Sequence, residues 1–522
     1  MIPIVKPGEE RFSTLLQGRT FDLDKVETTV SEIINAVKTG GDRELCAITA
    51  RLDGIEIEPS RLPVTAIEIK DAYSQVSEDF LDALRRAAEN IYRYHRRQLR
   101  NSWIEPQENG AVLGQIITPL PRVGIYVPGG KAAYPSSVLM NAIPAAVAGV
   151  QEIVMVTPPG KDGSVNPCTL VAAAESGVTE IYRLGGAQAV AALAYGTATI
   201  KRVDKITGPG NIYVTAAKRQ VYGVVDIDML AGPSEVLIVA DDTARPDFVA
   251  ADMLAQAEHD QMASAILVTP DRQLAEDVRQ ELASQLTGLN RRVIAAKSIA
   301  DHGCIVLTAD LIEAFEVAKR FAPEHLELML AEPYRWLGRV SGAGAVFMGH
   351  YSPEAVGDYI AGPNHILPTS GTARFFSPLN VGTFTKKTSL IDYSPQALQQ
   401  DGRHAMVLAE TEGLDAHLGS IRIRLDNIQI KNNHTPPGNK TPNQVSGNSN
   451  RARISKDQAA ENSSINNQGL RDLPGMQSLK PGFGDLHKDT RAKKTNRTGQ
   501  AGDSKPDSNN PAGKDDCDEQ QL

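Results

Sequence analysis

Two short segments of this chain bring together residue types that perform acid/base or metal chemistry. Gln256 and His259 are three positions apart in a segment with helical periodicity, so we expect their side chains to share one helix face. An amide oxygen and an imidazole on one face can form half of a metal site. Glu324 and His325 follow a proline and precede an apolar strand, and both types exchange protons in catalysis. Taken singly, the first pair is more often a solvated helix face and the second an incidental turn.

Further candidate ligands lie later in the chain. Asp358 is a charged residue within an otherwise apolar stretch, and His365 follows it in a Gly-Pro-Asn-His turn. Glu412 and His417 lie in a second polar cluster. With the first pair, these residues could supply an amide, two imidazoles and a carboxylate to a metal, which leaves a Glu/His pair for proton transfer. A catalytic zinc usually keeps one position open, and so four protein ligands would require an expanded coordination number when substrate binds.

Glycine-rich turns raise the question of nucleotide binding, but the standard signatures are incomplete. Gly208 and Gly210 supply the first two glycines of a GxGxxG motif, whereas Tyr213 stands where the third belongs. The segment 124–131 is one residue out of register for a P-loop, and Ala132 replaces the hydroxyl residue that would hold magnesium. Spacing alone therefore leaves two interpretations open, a ligand near these turns or only the tight turns of an α/β protein.

The elements that must position these residues alternate between helices and strands. Helical periodicity covers 24–39 and 77–98, and short apolar strands then alternate with helices in two blocks, 124–208 and 236–330. In the second block, the candidate ligands Gln256 and His259 fall on a helix predicted over 247–262. This alternation predicts βαβ units in parallel sheets, where ligands usually bind at the carboxyl ends of the strands.

The same pattern predicts an α/β fold of five consecutive segments. They are a helical N-terminal arm at 1–110, a first α/β domain at 111–235, a second at 236–375, a C-terminal arm at 376–426 and a disordered tail at 427–522. Only eleven residues of the tail are Leu, Ile, Val or Phe, too few to bury an apolar core. The tail could bind a partner or be an inert extension.

Composition excludes several classes of function. The net charge is −9; the tail, with 14 basic and 11 acidic residues, accounts for +3, which leaves −12 for residues 1–426. A general nucleic-acid binder would instead show a basic surplus. No apolar run is long enough to span a bilayer, and the N-terminus has no secretory pattern. The four cysteines are dispersed, without metal or disulfide spacing, and so we expect a cytoplasmic protein.

These motifs, in their order along the chain, resemble those of the histidinol dehydrogenase family. The matching segments are 122–130, 185–189, 207–211, 227–241, 321–327 and 362–369, and the resemblance covers roughly residues 5–426. It implies two incomplete Rossmann-like domains related to aldehyde dehydrogenases, which suits the missing GxGxxG. It also implies an intertwined homodimer, in which the C-terminal arm of one subunit completes the active site of the other.

The resemblance assigns a role to each matching residue. It implies that Glu324 and His325 are the catalytic acid/base pair, and that NAD contacts Tyr126, Gln188 and Asn211. The implied ligands of one Zn²⁺ per subunit are Gln256, His259, Asp358 and His417, which line the substrate pocket. The implied substrate contacts also include Ser234, His325 and Glu412, and both Glu412 and His417 would act across the dimer.

The reaction that the resemblance implies is the NAD-linked oxidation of L-histidinol to L-histidine through the aldehyde, the last step of histidine biosynthesis. The second oxidation needs a nucleophile on the aldehyde carbon. Because Cys46, Cys168 and Cys304 all read as small core residues, we favour water activated by Glu324 over a thiolate. Two alternatives remain, a zinc-dependent hydrolase that uses the same residues without NAD, and a non-catalytic relative whose tail recruits a partner.

Overall fold

The computed structural model describes residues 2–19, 21–129 and 133–433, with side chains described to residue 430. The predicted α/β class is confirmed. The strands, in chain order, are β1 Ile4–Val5, β2 Trp103–Pro106, β3 Val112–Pro119, β4 Arg122–Tyr126, β5 Glu152–Thr157, β6 Glu180–Arg183, β7 Lys205–Thr207, β8 Asp226–Ile227, β9 Glu235–Ala240, β10 Ser264–Thr269, β11 Cys304–Leu307, β12 His325–Met329, β13 Ala345–Met348 and β14 Thr385–Asp392.

Fifteen α-helices are present in the described residues. They are α1 Glu10–Gln17, α2 Glu27–Asp53, α3 Ala66–Tyr73, α4 Glu78–Arg96, α5 Pro135–Ala148, α6 Pro167–Ser176, α7 Gly186–Tyr195, α8 Ile212–Val221, α9 Pro246–Ala257, α10 Arg272–Leu286, α11 Arg292–His302, α12 Leu311–Phe321, α13 Glu354–Tyr359, α14 Pro395–Thr411 and α15 Asp415–Asn433. None of these helices combines the length and apolar character that a membrane span requires.

The first large sheet has five parallel strands in the order β6-β5-β4-β7-β8. Side chains alternate between the two faces of the sheet along each strand, and both sets are buried because helices cover both faces. In β5, Ile153 and Met155 pack against α4, α5 and α6, whereas Val154 and Val156 pack against α2, α7 and α8. The parallel sheet built from alternating strands and helices is the arrangement that the sequence pattern predicts, and the structure adds that helices cover both of its faces.

The second large sheet has six parallel strands in the order β1-β11-β10-β9-β12-β13. Helices α9, α10 and α11 cover one face, and α1 and α12 cover the other. The central strands β9 and β12 lie side by side, with His325 paired to Val236. This pairing brings the residues that precede both strands to the same edge of the sheet.

Both predicted arms contribute strands to sheets. The N-terminal arm supplies β1, which pairs with β11 of the second large sheet, and so this arm is not purely helical. The C-terminal arm supplies β14, which pairs antiparallel with β3 in a three-stranded sheet of order β14-β3-β2. Strand pairing between distant parts of the chain cannot be read from local periodicity, and the boundaries proposed for the five segments stay a prediction.

Two helices extend beyond their expected ends. The helix expected at 24–39 runs as α2 from Glu27 to Asp53, with left-handed backbone at Gly41 (φ 58°) that interrupts it near the expected end. Helix α15 continues through the expected tail boundary at Asp426 and ends at Asn433. The remainder of the predicted disordered tail lies outside the described residues.

Candidate active site

Glu324 and His325 lie at a turn between helix α12 and strand β12, as their sequence context predicts. Helix α12 ends at Phe321, the capping residue Ala322 has left-handed backbone (φ 50°), and Pro323 and Glu324 then lead to His325, the first residue of β12. Both side chains are buried, with 6% and 4% exposure for Glu324 and His325. They lie at the amino end of β12, whereas we expected ligand-binding residues at the carboxyl ends of parallel strands.

His325 is held in one orientation by the neighbouring strand. Its Nδ1 lies 3.0 Å from the backbone carbonyl oxygen of Glu235, so the neutral ring donates from Nδ1. Its Nε2 is buried and has no hydrogen-bond partner among the described residues. Burial lowers the pKa of His325 to about 3, assisted by the nearby His259 and His365. The ring is therefore neutral at neutral pH, and the lone pair of Nε2 is unprotonated and free.

Glu324 lies beside His325 but is fixed by different groups. Its Oε2 accepts a hydrogen bond from the backbone N–H of Glu235 at 2.9 Å, and the Ser234 side chain also hydrogen-bonds to it. Burial raises the pKa of Glu324 well above its usual value, and the charges of Glu235 and Asp358 raise it further. The predicted substrate residue Ser234 thus lies in contact with the predicted acid/base pair.

Helix α9 ends earlier than we expected. The prediction extended it over 247–262, but it ends at Ala257, so Gln256 lies in its last turn and His259 in the turn that follows. The predicted end of the helix is therefore wrong, although the side chains of Gln256 and His259 both adjoin Glu354. The carboxylate of Asp260 accepts from the backbone N–H of Met262 at 2.9 Å, a local bond that competes with helix continuation.

Three side chains form a candidate metal cluster. One ligand atom each of His259, Glu354 and Asp358 lies within 4.8 Å of the others. Gln256 adjoins this cluster, since its amide nitrogen lies 2.9 Å from Glu354 Oε2 in the amide orientation that pairs donor with acceptor. Burial raises the pKa of Asp358 to about 6, although the nearby charge of His259 acts to lower it. Imidazole, carboxylate and amide oxygen ligands fit a divalent metal such as zinc or manganese.

The structure does not bring Glu412 and His417 into this cluster within one chain. Glu412 follows helix α14, His417 lies in α15, and both side chains are exposed. His417 is not part of the candidate metal group found among the described residues. The expectation that these two residues act across a dimer therefore stays a prediction.

The three residues predicted to contact NAD lie at or just beyond the carboxyl edge of the first large sheet. Tyr126 ends β4, and its hydroxyl accepts from the backbone N–H of Gly186 at 3.1 Å. Gln188 lies in the first turn of α7, where its Nε2 donates to Asp53 at 3.2 Å. Asn211 caps α8, with its side-chain oxygen accepting from two backbone N–H groups. Helix amino termini at this edge favour a phosphate-bearing ligand.

His365 has a structural position next to the cluster. Its Nδ1 lies 3.0 Å from the backbone carbonyl of Asp358, and its Nε2 lies 3.5 Å from the hydroxyl of Ser137 on α5. Burial lowers the pKa of His365 to about 4, and the ring is therefore neutral at physiological pH. This neutral ring connects helix α13, which carries Asp358, to the first large sheet's helix α5.

Sequence reasoning missed the buried carboxyl groups around the site. Glu354 lies four residues before Asp358 on α13, a helical spacing that could have identified it. Glu327 on β12 and Asp252 on α9 hydrogen-bond to each other, and burial raises the pKa of both. Glu235 had no separate signal, because its role depends on the pairing of β9 with β12.

Two doubly covered parallel sheets, with a buried Glu/His pair beside a cluster of candidate metal ligands, define an α/β protein with a candidate active site. The model of the histidinol dehydrogenase family matches residues 16–425. The chain belongs to the histidinol dehydrogenase family.

Named relatives and a solved structure agree with this assignment. A histidinol dehydrogenase of Heliobacterium mobile is 57% identical over 411 residues, which cover 79% of this chain and 96% of that protein. The histidinol dehydrogenase of Bacillus subtilis is 53% identical, with 80% of this chain and 97% of that protein covered. The crystal structure of histidinol dehydrogenase from Elizabethkingia anophelis aligns with a TM-score of 0.78 at 36% identity, over 82% of this chain and 99% of that chain.

Proposed function

We propose that this protein is an NAD-dependent dehydrogenase that oxidises L-histidinol to L-histidine through L-histidinaldehyde, the last step of histidine biosynthesis. The observation that carries the proposal is the geometry of His325, in a chain of the histidinol dehydrogenase family. Its Nδ1 is anchored to Glu235 while its buried Nε2 is unprotonated and without a partner among the described residues, beside a cluster of candidate metal ligands. Such a group can accept the hydroxyl proton that an alcohol must lose with its hydride.

His325 acts in the first oxidation. Its Nε2 accepts the proton of the substrate hydroxyl while the carbon-bound hydrogen leaves as hydride, which converts the alcohol to an aldehyde. When bound, NAD⁺ would supply the hydride acceptor for this step, and a second NAD⁺ would supply it for the next. The carbonyl of Glu235 holds Nδ1–H throughout, which keeps the tautomer correct for this transfer.

Glu324 acts in the second oxidation. In its ionised form, it takes a proton from a water molecule as that water adds to the aldehyde carbon, which forms a hydrate. The hydrate then loses a hydride and a hydroxyl proton to give the carboxylic acid. The backbone N–H of Glu235 and the side chain of Ser234 bond to the carboxyl group and favour its charged form, although burial opposes ionisation.

We propose that Gln256, His259 and Asp358 of one subunit, with His417 of the other, hold one Zn²⁺ per subunit. Ligand atoms of His259 and Asp358 lie within 4.8 Å of each other, Gln256 adjoins Glu354 of the same cluster, and the donor atoms of all three suit zinc. When bound, the metal would hold the amine and imidazole of histidinol and so fix the reacting carbon. Ser234, Glu412 and the same zinc-binding residues would contact the substrate.

We propose that Tyr126, Gln188 and Asn211 contact NAD. Their common position beside the amino termini of α7 and α8 supports this role. The buried Oε1 of Gln188 has no hydrogen-bond partner among the described residues, so Gln188 keeps an acceptor for a ligand. The tight turn at Gly208, where an added Cβ would meet the backbone of Tyr126 at 2.1 Å, keeps this edge of the sheet compact.

We propose a homodimer in which Glu412 and His417 complete the partner's active site. The helical hairpin of α14 and α15 carries apolar side chains that are exposed in the single chain: Val407 (54%), Leu408 (65%), Ile423 (70%) and Ile430 (56%). Apolar surface of this kind is typical of an interface.

A cytoplasmic location suits the three described cysteines, which are free thiols.

The decisive experiment is to mix purified protein with L-histidinol and NAD⁺ and to follow NADH absorbance. We expect two NADH per histidinol, with L-histidine as product, and loss of turnover after treatment with a chelator that zinc reverses. A zinc-dependent hydrolase would produce no NADH, and a non-catalytic relative would convert neither L-histidinol nor NAD⁺. Either result would overturn the proposal.

The role of the tail can be separated from catalysis. A chain truncated after Asn433 keeps all of α15 and every proposed site residue, so we expect the same kcat and KM as the full chain. Truncation after Asp426 instead removes the end of α15 and is expected to lower the melting temperature. Loss of activity in the chain truncated after Asn433 would show that the tail takes part in function.

A further inference from the structure

Glu354 is the buried acidic residue of the candidate metal cluster to which the proposed function gives no role. It is the first residue of helix α13 and is 3% exposed. Its backbone N–H donates to Glu327 Oε1 at 2.9 Å, which fixes the start of the helix against strand β12. The carboxyl group of Glu354 therefore points from a rigid position into the cluster.

The amide of Gln256 lies within hydrogen-bond distance of this carboxyl group. In the amide orientation that pairs donor with acceptor, the amide nitrogen lies 2.9 Å from Oε2 and 3.1 Å from Oε1 of Glu354. It also lies 3.2 Å from Nδ1 of His325, but that nitrogen carries the proton donated to Glu235, so the carboxyl oxygens of Glu354 are the acceptors. Gln256 itself is completely buried on the last turn of α9. A buried amide that gives its nitrogen to a carboxylate has only its oxygen left for another partner.

An amide ligand binds a metal through oxygen, and its two ends are similar in shape. A free glutamine side chain could therefore turn its nitrogen toward the metal, where it would contribute no ligand. Groups behind a metal ligand commonly fix the orientation of that ligand. We propose that Glu354 is a positioning residue that holds the amide of Gln256 with its oxygen toward the metal. This inference rests on the proposed function, because it presumes the zinc site described there.

Glu354 could instead bind the metal directly, since one of its oxygens lies within 4.8 Å of ligand atoms of His259 and Asp358. The contacts favour the positioning role, because both of its oxygens face the amide nitrogen of Gln256. The two roles give different results when Gln256 is absent. If Glu354 only positions Gln256, its removal changes zinc affinity no further once Gln256 is absent. If Glu354 binds the metal directly, its removal still lowers zinc affinity.

The test is a double-mutant cycle read out as Zn²⁺ affinity, measured by competition with a chromogenic chelator and without substrate or NAD. The variants are Glu354→Ala, Gln256→Ala and both together in the full-length protein. We expect Glu354→Ala alone to weaken zinc binding roughly 10- to 100-fold, as is typical for groups behind a ligand. In the Gln256→Ala background we expect it to have almost no further effect. Equal losses in both backgrounds, or no loss in either, would overturn the inference.

Two further variants keep the test interpretable. Glu354→Gln retains an oxygen acceptor for the Gln256 amide, so we expect it to bind zinc within a few-fold of the unmodified protein. Glu175→Ala removes a half-buried carboxylate that pairs with Arg85 on the first sheet's helices, and it should leave zinc affinity unchanged. If Glu354→Ala does not fold, Glu354→Met, which fills the same space without an acceptor, replaces it in the cycle.

The experiment also separates this inference from the proposed function. If the unmodified protein binds no zinc, the proposed metal site itself is wrong. If it binds zinc and the cycle is additive, only the positioning role of Glu354 is wrong. The visible absorption of Co²⁺-substituted protein adds a second readout, because loss of an amide oxygen ligand changes the coordination geometry and hence the spectrum.

Discussion

The Nδ1 nitrogen of His325 donates a hydrogen bond to the backbone carbonyl oxygen of Glu235 across 3.0 Å. This bond links the starts of two neighbouring strands, β12 and β9, and it assigns the two ring nitrogens different tasks. Nδ1 fixes the ring, and Nε2 remains as the atom with a free lone pair. Because burial lowers the pKa of His325 to about 3, the ring is neutral in solutions where the enzyme would operate.

This geometry predicts a specific pH dependence. We expect His325→Asn to lower kcat by roughly 10² to 10⁴, the usual effect of losing a positioned base. The acidic limb of kcat/KM should keep its position, since His325 is already deprotonated there. Measuring kcat/KM over a series of buffers from acid to neutral checks this, and a displaced limb would contradict it.

The acidic limb is expected to report carboxyl groups instead. Burial raises the pKa of Glu324 well above its usual value and that of Asp358 to about 6. Activity that needs the ionised form of Glu324 is present above its raised pKa and falls as the pH falls through it. In the Glu324→Gln variant, the residual kcat/KM should therefore no longer fall with the ionisation of Glu324 on the acidic side. An unchanged acidic limb would show that another carboxyl group controls it.

Shared active sites would allow two inactive proteins to restore each other. We expect His417→Ala and Glu324→Gln each to abolish most turnover, because one loses a metal ligand and the other the base that activates water. If subunits exchange, a mixed dimer holds one site with both defects and one with neither. Activity should recover toward one quarter of the unmodified level at equal mixing, estimated roughly from random pairing.

The control for this experiment mixes two variants with defects on the same side of the site. His259→Ala with Glu324→Gln should show no recovery, because every mixed dimer keeps a defect in both sites. Mixed dimers that are verified by mass spectrometry and yet show no activity with the His417→Ala pair would contradict residue sharing between subunits.

The cysteines are expected to be dispensable for chemistry. Burial raises the pKa of Cys304 to about 12, and the pKa values of Cys46 and Cys168 are also raised, whereas a thiolate nucleophile needs a lowered pKa. We expect the triple Ala variant to retain substantial turnover, with some loss of stability from the core position Cys304. Complete loss of turnover after one change, with fold and zinc content intact, would favour a covalent thiohemiacetal.

The buried ion pair of Arg19 and Glu235 should matter for stability. Their side chains lie 3.2 Å apart with 6% and 1% exposure, and Arg19 also stacks on Phe321. Arg19→Met leaves Glu235 without its cation, and we expect it to lower the free energy of unfolding by about 3 kcal/mol. Chemical denaturation measures this loss, and the double variant Arg19→Met/Glu235→Gln should recover part of it.

The same pair predicts how stability changes with pH. Burial outweighs the attraction of Arg19 and raises the pKa of Glu235 from 4.5 to about 7. A raised folded-state pKa contributes stability below the unfolded pKa, and that contribution is lost as the pH rises through about 7. The melting temperature of the unmodified protein relative to Glu235→Gln should therefore fall between mildly acidic and neutral pH. A constant difference would contradict the raised pKa.

The sequence by itself determined the α/β class and marked Glu324 and His325 as candidates for an acid/base pair, a role that stays a prediction. Strand and helix periodicities are local, so alternating blocks predicted parallel sheets, and Glu324–His325 stood out at a turn before an apolar strand. Local signals failed at helix ends, where a single side-chain bond at Asp260 competes with another helical turn. They also placed the tail boundary inside α15.

Only the tertiary structure decided which distant residues meet. The pairing of β9 with β12 joins Glu235 to His325, and the packing of α9 beside α13 brings Gln256 to Glu354. It also placed the acid/base pair at the amino ends of strands, against the general expectation for parallel sheets. The physical reason is that these contacts depend on which strands become neighbours and how helices cross them. Periodicity along the chain carries no information about either.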